Sequence, residues 1–150
     1  MYGQEQNARE LIIDEYKADV EVLVKYLPWL IKIDGQNLQT YYEGDGKSQI
    51  LSVPVYDSTL LAFIKDAEKT KFVTKNYPYV YTRCKIKDSD DEIRLIKSAK
   101  ITDIDIFKAV LSKYILEGKR KGVVWSEATQ KGIFTLIVNC LSDLFFRQAT

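Results

Sequence analysis

Residues 104–144, IDIFKAVLSKYILEGKRKGVVWSEATQKGIFTLIVNCLSDL, decide the fold class. Ile104, Phe107, Leu111, Tyr114 and Ile115 recur at the three- and four-residue spacing of one helix face. Ile133, Leu136, Ile137, Cys140, Leu141 and Leu144 repeat that pattern in a more apolar segment. Between the two, Gly118 reads as the left-handed residue that follows a helix C-terminus. Ser126 or its neighbour then starts a short helix that Gly132 ends. Thr102 with Asp105 forms a loose capping box ahead of the first of these helices.

Working outward, Ser89 and Glu92 make a capping-box pattern ahead of Ile93, Leu95 and Ile96. Asp57 or Ser58 caps a helix that carries Leu60, Leu61, Ile64 and Ala67 on one face. At the N-terminal end Asn7 and Glu10 form another box, followed by Val20, Leu23, Val24, Leu27, Leu30 and Ile31 at helical spacing. Pro28 interrupts that run, which predicts a kink or a new helix there, and Asp34-Gly35 ends it. Two stretches read differently. Residues 36–56 hold β-branched and aromatic residues on either side of Gly44-Asp45-Gly46, a hairpin pattern with an ordered loop as the alternative. In FVTKNYPYVYTRCKI (72–86) the tyrosines alternate while Asn76 and Pro78 suit a turn, so the stretch is expected to be extended or irregular. The expectation is a mainly α single domain over residues 1–150, a compact bundle of five to six helices with one small β-hairpin near residues 37–55.

Composition narrows the chemistry. With 46% hydrophobic and 29% charged residues the chain is ordinary globular material. No apolar run reaches the ~18 residues of a membrane span. There is no histidine, which removes the commonest general base and metal ligand and rules out Ser-His-Asp or Cys-His chemistry within one chain. Two cysteines, Cys84 and Cys140, are too few thiolates for a closed zinc site. Neither metal nor cofactor is expected, and an enzyme would have to work through carboxylates or lysines. The start MYGQEQNARE lacks a signal-peptide layout, so a reducing cytoplasm is the expected compartment. Twenty-two basic against twenty-one acidic side chains leave a net charge of +1, which argues against nucleic acid as the partner.

Three constellations merit weighing. Gly118-Lys119-Arg120-Lys121-Gly122-Val123-Val124-Trp125 places three cations between glycines beside a tryptophan, a candidate loop for a phosphate or carboxylate ligand. Its structural alternative is a solvated turn with Trp125 in the core. Tyr77, Tyr79 and Tyr81 interleave with Lys75, Arg83 and Lys85, a candidate stacking-plus-charge surface, or partly buried tyrosines with wet hydroxyls. A tyrosine count of ten also suits a protein-binding face. The run Asp88-Ser89-Asp90-Asp91-Glu92 fails as a calcium loop and reads as acids complementing a helix N-terminus.

The stretch from Ile104 to Leu144 resembles a domain-of-unknown-function family of small proteins found in bacteria and their phages. The shared features are Gly118, Gly122 and Trp125 as G-x-x-x-G-x-x-W, then Gly132 and Phe134 ahead of a Leu-rich helix. Pro54-Val55-Tyr56, Phe63 and Asn76-Tyr77 look similar upstream. Members often carry an acidic or Arg-Phe pair where this chain has Lys119-Arg120, so the basic cluster is not a family site. The resemblance brings no catalytic residues. It implies a small cytoplasmic protein of a phage or mobile element. The functional expectation is a non-catalytic interaction protein that interferes with a host defence system by binding a host protein or signal. The alternative is a protein that binds or sequesters a nucleotide or phosphometabolite through residues 118–125. Self-association is expected through the apolar C-terminal helix ending in Leu144, Phe145 and Phe146.

Overall fold

The computed structural model describes residues 2–33, 39–42, 53–56, 58–121 and 123–147, with side chains described over 7–33, 58–121 and 123–146. Eight α-helices run through the described residues: α1 Tyr2–Val24, α2 Leu27–Ile33, α3 Ser58–Glu68, α4 Tyr77–Cys84, α5 Ser89–Ser98, α6 Ile104–Arg120, α7 Val123–Gln130 and α8 Ile133–Ser142. The expected five to six helices are therefore too few. The count rises to eight because the chain takes the new-helix outcome expected at Pro28, giving α1 and α2, and because α4 forms where an extended or irregular stretch was expected. Tyr26 N–H donates to Leu23 O and Leu30 N–H to Tyr26 O, so the chain turns and restarts as a helix with Pro28 in its first turn. α1 begins before the predicted Asn7 start. Gln39–Tyr42 and Val53–Tyr56 (β1 and β2) pair antiparallel with Gln39 opposite Tyr56 and Tyr42 opposite Val53. The rest of the 37–55 stretch, including the Gly44-Asp45-Gly46 turn, lies outside the described residues, and the fold rests on the helices alone.

α8 sits at the centre and touches α1, α2, α5, α6 and α7. Its composition explains the position: Ile133, Phe134, Ile137, Val138 and Leu141 are all inaccessible to solvent, and a helix apolar on most of its circumference is stable only when surrounded. α6 supplies Phe107, Val110, Leu111, Tyr114 and Ile115 to the same core, and α3 supplies Leu60, Phe63 and Ile64. The aromatic rings of Phe63 and Phe134 meet at 5.2 Å and those of Tyr114 and Phe134 at 6.4 Å, tilted and edge-on. Asp143–Arg147 extends α8 as a wider π-type turn. Leu144 and Phe145 are buried there and only Phe146 is exposed. The apolar C-terminal patch expected for self-association is thus mostly spent inside the molecule.

Candidate functional site

The segment between α3 and α5 builds the most featured surface. It is fastened to α6 by Ser112, a fully buried hydroxyl that donates to Phe72 O at 3.0 Å and accepts from Thr74 N–H at 2.8 Å. α4 follows at once. Asn76 and Pro78, read as a turn, are equally the start signals of a helix, with Asn76 at the N-cap and Pro78 in the first turn. The helix stops at Lys85, which adopts the left-handed conformation (φ 56°). Lys85 N–H donates to Thr82 O and Ile86 N–H to Tyr81 O, closing the end as a Schellman motif over the buried Ile86.

Helical rather than extended geometry separates the three tyrosines. Tyr77 and Tyr81, four residues apart, share the inner face with ring centroids 6.3 Å apart. Tyr79 points the other way and is 68% exposed. Arg83 follows Tyr79 one turn later, its guanidinium 5.7 Å from the Tyr79 ring centre, and pairs with Asp105 at 3.9 Å. No residue of α4 is buried, so the helix lies on α6 as a peripheral element.

What helps hold α4 in place is Glu92, which was expected to close a capping box with Ser89; the N-cap is instead Asp88, and Glu92 turns to other partners. Glu92 of α5 has no exposed surface. Its Oε2 accepts from Tyr81 Oη at 2.6 Å and from Lys113 Nζ at 3.2 Å, and its Oε1 accepts from Tyr114 Oη at 2.5 Å. Lys113 Nζ also lies 5.1 Å and 5.3 Å from the centres of the Tyr81 and Tyr114 rings. One side chain therefore ties α4, α5 and α6 together with charge-assisted bonds. Burial first, and the Glu92 carboxylate second, push both phenols well above the usual tyrosine range. Both oxygens are occupied, and none of the clefts described here is lined by Glu92. The arrangement is built to fasten helices.

Two clefts flank α4. One, of about 200 Å³, lies between Tyr79, Val80 and Arg83 on one wall and Asp105, Lys108 and Ala109 of α6 on the other. Its Lys108 is steadied by a 3.0 Å hydrogen bond from Nζ to Tyr16 Oη. The other, of about 380 Å³, is lined by Lys75, Tyr77, Pro78, Leu116, Glu117 and Arg120. Tyr77 lines both. Its phenol is raised chiefly by burial and then by Glu117, which also hydrogen-bonds it, with Arg120 opposing. Arg120 and Tyr77 belonged to separate sequence clusters, and the fold joins them.

The expected 118–125 loop is dispersed. Gly118 lies inside α6, not beyond its end, and Lys119 and Arg120 complete that helix. Lys119 pairs with Glu68 of α3 at 3.0 Å. Lys121 is exposed at the C-cap. Trp125 is half-buried against the core with Nε1–H donated to Ile115 O at 3.1 Å. A methyl at Gly118 would overlap its indole, so the glycine is there for close packing. A third cleft, about 290 Å³, lies between α5 and α8 and is lined by Lys97, Lys131, Thr135, Asn139, Ile93 and Leu136, with no acidic side chain among the described residues.

Cys84 and Cys140 are both free and half-buried. Among the described residues no three His, Cys, Asp or Glu side chains assemble a metal site, and no helix is long and apolar enough to cross a membrane.

The phenols predict alkaline lability. Tyr26 donates to Asp66 Oδ2, and that bond, with burial, raises it to about 12. An unfolded tyrosine ionises near 10, so between pH 10 and 12 the unfolded chain has lost protons that the fold retains. Stability from Tyr26, Tyr81 and Tyr114 is complete below pH ~10 and falls as pH rises above it. Urea midpoints at about pH 8 and about pH 11 should differ, with the lower value in alkali; equal midpoints would contradict the buried phenol network.

No family model matches the chain, and neither a curated protein nor a solved structure matches it.

Proposed function

We propose that this is a non-catalytic interaction protein whose contact surface is the outer face of α4 with its two flanking clefts. One observation carries the reading: Tyr79 stands 68% exposed on a helix with no buried residue, backed by Arg83. Tyrosine and arginine are the residue types that dominate binding energy at protein interfaces. The Glu92 network supports the same reading, because a surface helix pinned at one point presents its outer face without rearrangement. With the resemblance to small bacterial and phage proteins, the partner is a host protein and the role interference with a host defence system. Affinity capture from host lysate should recover a stoichiometric partner with the native chain. A Tyr79→Ala/Arg83→Ala variant should lose it by at least about tenfold, as expected for two anchors of 1–2 kcal/mol or more, while its thermal midpoint stays put because neither side chain packs in the core. Undiminished recovery by that variant would reject the surface.

A second reading is favoured by the α5–α8 cleft, which Lys97, Lys131 and Asn139 line with no acid among the described residues. Its ligand would be a phosphorylated metabolite or nucleotide, bound there and not at residues 118–125. Calorimetry with a nucleotide panel tests it: binding that survives Lys97→Ala/Lys131→Ala, or none at all, removes the reading.

A further inference from the structure

Resting on the α4 surface just proposed, we infer that its partner is an acidic protein segment carrying interspersed apolar side chains, laid along α4. The chain as a whole has a net charge of +1, yet residues 69–87 contain Lys69, Lys71, Lys75, Arg83, Lys85 and Lys87 and no acid at all. The fold then brings Lys108 and Arg120 of α6 to the same face, one in each cleft. Asp105 already pairs with Arg83, and Glu117 already engages Tyr77. Lys75, Lys108 and Arg120 have no ion pair among the described residues. Lys75 and Arg120 line one cleft and Lys108, which also donates to Tyr16 Oη, lines the other, so carboxylates of a partner would meet cations without an ion pair there.

The apolar lining specifies the rest of the partner. Val80 and Ala109 line one cleft, and Pro78 and Leu116 the other. Spaced acids with apolar residues between them would meet both the cations and this apolar lining. A single-stranded nucleic acid fits less well. Stacking needs open aromatic faces. Here Tyr79 alone of the three is broadly exposed, with Arg83 beside its ring, while Tyr81 is locked on Glu92 and Tyr77 is packed edge-on against Tyr81, so no row of open rings is offered.

The test is a nitrogen-15 amide titration of the whole protein with three probes: a peptide of about a dozen alternating Glu and Leu residues, its Lys/Leu counterpart, and oligo(dT) of similar length. The Glu/Leu peptide should shift amides of residues 75–85 and 105–120. Its affinity should fall about tenfold or more in Arg83→Glu/Lys108→Glu and in Lys75→Glu/Arg120→Glu, and it should weaken with added salt. The second variant uses cations without the Tyr16 contact, so a folding defect in the first does not decide the matter. Stronger shifts with oligo(dT), equal binding of the Lys/Leu peptide, or no movement at α4 would each overturn the inference. If the lysate partner is still lost on Tyr79→Ala/Arg83→Ala while the Glu/Leu peptide fails, the partner's chemistry is wrong and the surface stands. If both experiments leave α4 unmoved, the surface itself falls.

Discussion

Glu92→Ala is expected to lower the free energy of unfolding by about 2–5 kcal/mol, the cost of leaving two phenols without their acceptor and a lysine without its counter-ion. Against a typical total of 5–15 kcal/mol this brings the protein close to its unfolding threshold. The size follows from what is stranded. Tyr114 Oη and Tyr81 Oη lose their only acceptor named in the structure, and Lys113 loses its counter-ion. Lys113 is partly exposed, 29% of its side chain, and can turn to water; Tyr114 is buried and Tyr81 half-buried. Glu92→Gln should therefore cost less than the alanine variant, since an amide oxygen still accepts. Tyr81→Phe should cost about 1–2 kcal/mol, one charge-assisted bond without the buried charge being removed. Asp90→Ala is the control: it is exposed, two residues away in the same acidic run, and should stay within about 0.5 kcal/mol of the native chain. Urea denaturation orders the four variants. A Glu92→Ala loss below about 1 kcal/mol would mean the carboxylate is dispensable and α4 is held by α6 packing alone.

That control also shows where sequence reading stops. Asp88, Asp90, Asp91 and Glu92 look alike as letters. In the fold Asp88 caps α5 by accepting from Asp91 N–H, Asp91 receives Lys87 N–H and Arg94, and Glu92 turns inward. A signal for this was present: Glu92 lies four residues before the buried Ile96, on the apolar phase of the helix, where an acid needs partners. The partners, Tyr81, Lys113 and Tyr114, are supplied by helices distant in sequence, and no local pattern names them. The misreading of α4 has a different cause. Tyr77, Tyr79 and Tyr81 match a period of two, but Tyr77, Tyr81 and Cys84 match a helix just as well, and eight residues are too few for periodicity to choose. Packing on α6 makes the choice. By contrast, α8 was legible throughout because its apolar content exceeds what a partly exposed helix carries, and the restart at Pro28 was legible because proline's missing N–H leaves few options. The candidate surface was half legible. Its tyrosines and Arg83 stood out as residue types, whereas the arrival of Arg120 and Lys108 beside them depends on tertiary structure.

Gly118→Ala is the second large effect, and its sign runs against helix propensity. In an exposed helix the change would stabilise by up to about 1 kcal/mol. Here the new methyl would occupy space held by the Trp125 indole, a rigid ring that cannot yield at its tip. That ring is further fixed by its Nε1–H bond to Ile115 O, one helical turn before the glycine. To admit the methyl the indole must leave, which breaks that bond and pulls α7 away from α6. A net loss of about 2–3 kcal/mol is expected, the overpacking cost together with the lost hydrogen bond after the propensity gain is subtracted. The decisive measurement is a double-mutant cycle with Trp125→Ala. If the clash is with the indole, adding Gly118→Ala to a chain already lacking it should cost little or even stabilise, giving a coupling of about 1–3 kcal/mol. Additive losses would place the strain elsewhere in α6. If the coupling is large, the spacing of Gly118 and Trp125 is explained by packing alone.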